Sequence, residues 1–433
     1  MQPHCINAVP SESQQDQESP PCTVGDVSAP RVLHFGSTDS KWVNPAIQQL
    51  ARAGLVDYDV CVYDNYRVSS FSSTGGRSLT VRELDSTEFI RQIMINDYAA
   101  VVLHSFPGPK NETSPLARFI LSLPTSIRVA WIGWGFDYYN ELIFRDLSDN
   151  AGLLPRTAQF LAKDSAYRRM RRIKRAASDP RRVFSRLFHR SPSFAVGTSM
   201  DVLNRVDVFS PRLKIEYEDI LQNFPSFQPT FAQFMIASQD LVQPLREVDA
   251  NPPSQEHGRS IVIGNSAVST VNHLDAIDYL RTSLGVAEQL VLPLAYGNSR
   301  YGNELEKEIR RDWTSQVMCK RDFVPPQEYV TWISQFGAFA HAGLRQHAGW
   351  NIRVMLAAQR RVILHEDNPL YRALRDEGLP VNNFRDLDNA PDLAFQPFGT
   401  SERSDLQQVM ARFLDEGLRL QCNRSFVNTL LGA

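Results

Sequence analysis

The stretch Ser260 to Leu280, SIVIGNSAVSTVNHLDAIDYL, sets a β-branched apolar run, a small polar turn and a helical apolar spacing in immediate succession. Ile261, Val262 and Ile263 read as a buried strand, Gly264, Asn265 and Ser266 as the turn, and Leu274, Ile277 and Leu280 as one helix face. Strands that alternate with helices imply a parallel sheet, and ligands of such sheets collect at the carboxyl ends of the strands. A helix starting directly after the turn would also point its unpaired N–H groups and the positive end of its dipole at an anion. The turn has neither the G-x-G-x-x-G of dinucleotide folds nor the lysine of a P-loop.

The unit occurs twice. Near the start of the ordered pattern, VLHF from Val32, the turn Gly36 to Ser40 and a helix over Pro45 to Ala53 repeat the same logic. Further strands are expected at Asp57 to Asp64, Ala99 to Ser105, Ile127 to Gly135, Ser193 to Ser199 and Leu213 to Tyr217. In the second half they are expected at Gln289 to Leu294, Gln316 to Cys319, Gly337 to His341 and Arg361 to His365. The chain of 433 residues is too long for one ordinary core. The expected organisation is a disordered leader over 1–30, a first α/β domain over 31–240, a linker over 241–258, a second α/β domain over 259–400 and a helical segment over 401–433. That terminal segment is placed to fold back on the first domain.

The five cysteines are scattered without a C-x-x-C pair, and no apolar run approaches the roughly 20 residues of a membrane span. The net charge of −2 hides an asymmetry: residues 156–190 hold twelve Lys/Arg against Asp164 and Asp179, a segment charge of +10. Within it Arg168, Arg169, Arg171, Arg172, Lys174 and Arg175 are interleaved with apolar and aromatic residues. An anionic lipid surface, or a lipid-linked diphosphate, suits this arm better than nucleic acid, because nothing else in the chain resembles a base-reading module.

Several residues fall where chemistry is expected. Asp39, His104 and Asp137 follow strands of the first half, and Asp137 lies among Trp131, Trp134, Tyr138 and Tyr139, aromatics that suit sugar faces. His273 and His341 join His104 as proton-transfer candidates by type. In the second half, HAGLRQHAGWN (His341 to Asn351) brings small residues together with Arg345 and Gln346, a guanidinium fork for phosphate or carboxylate. HEDNPLY follows the next strand, where Glu366 and Asn368 are placed to accept from sugar or ribose hydroxyls, the alternative being a simple helix N-cap by Asp367 or Asn368. Asp57-Tyr58-Asp59 has the D-x-D spacing of a metal site, yet it stands at the amino end of its strand and reads as structural.

Taken in order, the Gly36 to Asp39 turn, WIGWGFDYYNEL, the basic segment, FAVGTS, IVIGNS with Asn272-His273, VLPLAY, the Tyr329 to Ile333 helix, Arg345-Gln346 and LHEDNPLY resemble the TDP-N-acetylfucosamine:lipid II N-acetylfucosaminyltransferases of enterobacterial common antigen synthesis. The resemblance implies a GT-B architecture, two facing Rossmann-like domains with the donor in the second. It implies transfer of an N-acetylated deoxyamino sugar from a TDP-sugar to a polyprenyl-diphosphate-linked saccharide, peripherally at the cytoplasmic face of the bacterial inner membrane. Gly264, Asn265 and Ser266 would cradle the diphosphate, with His273, Tyr296, Gln346, Glu366 and Asn368 also on the donor. Arg345 would neutralise the leaving group, and Asp137 or Asp39 would meet the acceptor hydroxyl. No metal and no cofactor beyond the donor is expected. Two alternatives stay open: a related GT-B transferase moving a different sugar or a pyruvyl group, and a non-catalytic polyanion-binding protein on this fold.

Overall fold

The computed structural model describes residues 30–432 apart from 38–42, 65–66, 74–86, 96–97, 107–113, 145–151, 164–199, 237–238, 254–257, 285–288 and 313–315. Asp39, the Ser193 to Ser199 stretch and the six basic residues from Arg168 to Arg175 lie outside the described residues.

The first half forms a seven-stranded sheet from β1 (Val32–Ser37), β2 (Tyr58–Asp64), β3 (Arg67–Ser73), β4 (Ala100–Leu103), β5 (Arg128–Ile132), β6 (Val208–Ser210) and β7 (Thr230–Phe231). Its order is β3-β2-β1-β4-β5-β6-β7, parallel except for the antiparallel edge pair β2 and β3. The second half forms a parallel six-stranded sheet from β8 (Ser260–Ile263), β9 (Gln289–Pro293), β10 (Gln316–Lys320), β11 (Ala338–His341), β12 (Arg361–Leu364) and β13 (Val381–Asn383), in the order β10-β9-β8-β11-β12-β13.

Both sheets are covered on both faces, which is why their strands read as continuous apolar runs. Leu33, Phe35, Val101, Leu103 and Trp131 enter one core of the first sheet, while Val32, Ala100, Val102, Ala130 and Ile132 enter the other. The second sheet divides likewise, with Val262, Val291, Phe339 and Leu364 on one side and Ile261, Ile263, Leu290, Ala340 and Ile363 on the other. In each sheet the strand order reverses beside the first strand, at β1/β4 and at β8/β11, and a crevice opens at the carboxyl ends of such a pair.

The structure departs from expectation in several places. Leu213 to Tyr217 is not a strand; Lys214–Asn223 is a helix whose start is closed by Glu216, its carboxylate accepting the Leu213 N–H at 2.9 Å. Most of the expected linker is the helix Gln239–Ala250, whose Val242 and Leu245 are buried in the second core. The Asp57-Tyr58-Asp59 triplet is structural, as read: buried Asp59 accepts from Arg31 Nη2 at 2.8 Å and from the Tyr98 hydroxyl.

The halves also exchange helices. Residues 155–163 are helical, and Leu154, Phe160 and Leu161 pack on the second core. Asp275 fixes that helix by accepting from the Arg156 and Thr157 backbone N–H groups, each at 2.9 Å, and from Thr157 Oγ1 at 2.5 Å. In return, Phe426, Val427 and Leu430 of the helix Glu416–Leu431 join Val32, Ala46, Leu50 and Ala130 in the first core. Asn423 locks it there: its Oδ1 accepts the Met235 N–H at 2.8 Å and its Nδ2 donates to the Met235 carbonyl at 3.0 Å. The preceding helix Thr400–Leu414 stays with the second core through Leu406, Val409, Met410 and Leu414.

Candidate functional site

The crevice at β8/β11 is built around two close backbone approaches. Gly264 follows β8 directly with φ +69°, and a Cβ there would lie 2.4 Å from Val271 Cγ1 and 2.9 Å from His273 Nε2. A Cβ on Gly343 would lie 2.3 Å from His341 Cε1 and 2.9 Å from the Thr270 carbonyl. Only glycine allows the turn and the loop to close on these side chains.

The expected cradle has a different shape. Ala267 is extended, bridging Gly297 with its N–H on the Tyr296 carbonyl at 2.6 Å, and a short turn over Ser269–Val271 follows. Val268, β-branched, continues the extended course for one residue before the turn. Helix His273–Leu284 therefore begins well beyond Ser266, after Asn272 in the left-handed region at φ 57°. Its start is bonded to residues 154–157 through Asn272 and Asp275, while the His273 side chain lies against Gly264. Asn272 fastens this junction by accepting the Leu154 N–H at 3.0 Å and donating to the carbonyls of Gly152 and Ala342, both at 3.1 Å.

Three histidines stand in the crevice region, and all are neutral. His341 Nδ1 accepts the Gly343 N–H at 3.0 Å, so its proton sits on Nε2. Burial, then the neighbouring His347 and His273, hold its pKa well below the usual value. His273, with Nδ1 3.2 Å from the Tyr301 hydroxyl, is lowered to about 3 by burial. His347 is lowered to about 4, by burial and then by Arg345. Among the described residues, His341 Nε2, His273 Nε2, Asn265 Oδ1, Thr270 Oγ1 and Arg345 Nε are buried without a hydrogen-bond partner. Each such atom costs about 1–3 kcal/mol if left unmade, so this cluster favours a polar ligand.

Arg345 reaches across to the first domain. Its Nη2 donates to Asn140 Oδ1, and its guanidinium lies 5.7 Å from the Tyr139 ring centre and 5.5 Å from that of Phe144. Burial lowers its pKa, and among the described residues no carboxylate lies within ion-pair distance of it. The next residue is held too, since the Gln346 N–H donates to the Tyr139 hydroxyl at 2.9 Å. Tyr139–Ile143 is a single wide helical turn, a form frequent at functional sites, and it presents Tyr139 and Asn140 to the opposite domain.

Other predicted residues do different work. Asp137 is buried, and its carboxylate is enclosed by donors: Trp131 Nε1 at 2.8 Å, Trp134 N at 2.9 Å and Phe106 N at 3.1 Å. It pins the loop after β5: expected to meet the acceptor hydroxyl, the carboxylate is instead buried in the first domain and engaged by three N–H groups. Asn368 is fully buried, capping the helix Pro369–Asp376 through the Leu370 N–H at 2.8 Å and holding the Gly343 and Arg345 carbonyls at 2.7 and 3.2 Å. It shapes the Arg345 loop from a fully buried position. Glu366 pairs with Arg385 at 2.6 Å. Tyr296 is exposed beside the Gly264 turn, its ring edge-on to Phe323 at 5.9 Å. His104 is buried against His34, ring nitrogens 3.1 Å apart, and burial lowers it to about 3.

The residue sequence reasoning missed is Glu216. It is fully buried, accepts from both the Tyr138 hydroxyl at 2.7 Å and the Tyr139 hydroxyl, and burial raises its pKa to about 7. Arg212 stands near it with its guanidinium 5.4 Å from the Trp134 ring centre. The signal lay in an acid at the third position of a helix, masked by the strand-like alternation of LKIEY. Among the described residues no group of three or more His, Cys, Asp or Glu is placed to hold a metal, and no helix is long and apolar enough to cross a membrane.

Two facing parallel sheets with a crevice between them are shared with solved glycosyltransferases. The chain is similar to α,α-trehalose 6-phosphate synthase from Burkholderia multivorans, with 9% identity over 94% of this chain and 97% of that one, at a TM-score of 0.55. It is similar to a glycosyltransferase from Rickettsia africae, with 10% identity over 93% and 98% of the chains, at 0.52. It is similar to HepE of Anabaena in complex with UDP and glucose, with 10% identity over 93% and 99%, at 0.51. At such identities the likeness establishes the fold, which is GT-B. Residues 230–391 match the family of 4-alpha-L-fucosyltransferases, glycosyl transferase group 56, which bears out the resemblance read from the motifs. The chain is a nucleotide-sugar-dependent glycosyltransferase. No curated protein matches it in sequence.

Proposed function

We propose that the chain moves an N-acetylated deoxyamino sugar of the Fuc4NAc type from a TDP-sugar to a saccharide carried on a polyprenyl diphosphate. One observation supports this most: a partly buried arginine with no carboxylate partner among the described residues, Arg345, stands at the seam of the two domains beside buried, unpartnered polar atoms. A guanidinium in that setting is made whole by an anion, and a donor diphosphate supplies one that gains charge as the sugar leaves. The neutral His341 adds an N–H donor, and the Gly264 turn lets backbone come close to the donor. Closing the first domain over the site keeps water from the sugar. The basic residues Arg168, Arg169, Arg171, Arg172, Lys174 and Arg175 would hold the enzyme at the anionic cytoplasmic face of the inner membrane, where the lipid-linked acceptor resides.

The test is a thermal-shift titration of the wild type and Arg345→Ala with TDP, UDP, GDP and CMP, with and without Mg²⁺. A ligand at a hundred times its dissociation constant stabilises by about 2.7 kcal/mol. Selective stabilisation by TDP, lost in Arg345→Ala, is the expected result. Stabilisation by UDP or GDP instead reassigns the sugar, and no stabilisation by any nucleotide removes the donor site.

A further inference from the structure

Glu216 lies in the first domain, one side chain away from the loop that carries Arg345 and Gln346 in the second. Its two oxygens serve different neighbours: Oε2 accepts from Tyr138 at 2.7 Å and from the Leu213 N–H at 2.9 Å, while Oε1 accepts from Tyr139. Because the Tyr139 hydrogen is committed to Glu216, its oxygen is free to accept the Gln346 N–H at 2.9 Å. The chain of bonds has one polarity, Gln346 N–H to Tyr139 O–H to carboxylate, and it crosses the cleft. The Tyr139 ring is also the floor beneath the Arg345 guanidinium.

We propose that Glu216 is a positioning residue for the transfer reaction: through Tyr139 its carboxylate sets residues 343–349 against the first domain and so places Arg345 for the donor diphosphate. This rests on the donor reading above. The two oxygens take three donors and nothing that accepts, which suits the ionised group, because protonation puts a hydrogen on one oxygen and turns it toward a donor. Burial puts its ionisation near neutrality, at about 7. The charged and titratable groups facing it are Tyr139 from the wide turn and Tyr138 just before it, with Asp137 beside Tyr138, Arg212 ahead of its own helix, and Arg345 from the second domain.

The experiment compares wild type with Tyr139→Phe, Glu216→Gln and Tyr138→Phe by amide hydrogen exchange of the full chain. Donor kcat/KM is measured between pH 5.5 and 8.5, a range of about three units around the expected ionisation. Tyr139→Phe keeps the ring under Arg345 and removes only the hydroxyl. It should speed exchange across 343–349 on the order of tenfold, as should Glu216→Gln, whereas Tyr138→Phe should leave that segment unchanged. Wild-type kcat/KM should rise through neutrality, and the rise should flatten in Glu216→Gln. Unchanged exchange over 343–349 in Tyr139→Phe, or an equal effect of Tyr138→Phe, overturns the proposal. The exchange result stands whether or not any nucleotide binds, so it separates this coupling from the donor reading itself.

Discussion

Replacing Asp137 distinguishes an acid that does chemistry from one that holds a loop. Its carboxylate takes three N–H donors at 2.8, 2.9 and 3.1 Å inside a fully packed environment. Asp137→Ala strands all three, and at about 1–3 kcal/mol for each unsatisfied donor the gross loss is about 3–9 kcal/mol. Burial raises the pKa of the carboxyl, so relief of its desolvation offsets part of that, and a net loss of about 2–4 kcal/mol is expected. Asp137→Asn keeps the shape but turns one acceptor into a donor facing a donor, and should lose about 1–3 kcal/mol. Urea unfolding is the assay. Tryptophan fluorescence is the natural probe because Trp131 and Trp134 are themselves donors to the carboxylate, with circular dichroism as a second signal. If Asp137→Asn unfolds with the wild type yet is inactive, the carboxylate acts on the substrate and this reasoning is wrong.

Glu216 supplies a pH dependence of definite sign. Its pKa is raised from 4.5 to about 7 on folding, so its stabilising contribution is full below 4.5 and is lost as pH rises through 7, by at most about 3 kcal/mol. The difference between wild type and Glu216→Gln in urea midpoints at pH 5 and pH 8 measures it, and equal differences at the two values refute it. Asn368→Ala removes a helix cap and frees the Gly343 and Arg345 carbonyls; it should lose about 1–2 kcal/mol in unfolding and raise the donor KM in a steady-state assay. Phe426→Ala, at a fully buried position against Phe234, should lose about 3–5 kcal/mol in the same unfolding assay, although it is remote in sequence from the first sheet.

The strands were legible because a strand covered on both faces leaves a run such as SIVI or AVVL that little else explains. The Arg345-Gln346 segment was legible for a related reason, as small and polar residues at a strand's carboxyl end. What escaped reading depends on partners far away in sequence. Asp137 follows a strand, as a base would, but its three donors come from Phe106, Trp131 and Trp134 and emerge only once β4 and β5 pair. Val268 to Val271 looked like the beginning of a helix until Gly297 offered Ala267 a bridge. Glu216 sits in a segment whose alternation suits a strand, and its two tyrosines lie far back along the chain.

The helix exchange has a consequence for how the two halves can be separated. Phe144 packs on the first half, Leu154, Phe160 and Leu161 on the second, Val202 and Leu203 on the first again, Val242 and Leu245 on the second, and Phe426 and Leu430 once more on the first. A cut between the sheets, near residue 250, would leave the first half without Phe426 and Leu430 and would take the 155–163 helix from the second, baring an apolar face on each. Neither half should therefore be soluble as a separately expressed product. Produced together from two genes, the halves should recombine into one particle, each supplying the helix the other lacks. Any opening of the cleft must then work as a hinge strapped by several strands of chain, which favours small rotations that loosen the Arg345 seam over wide separation.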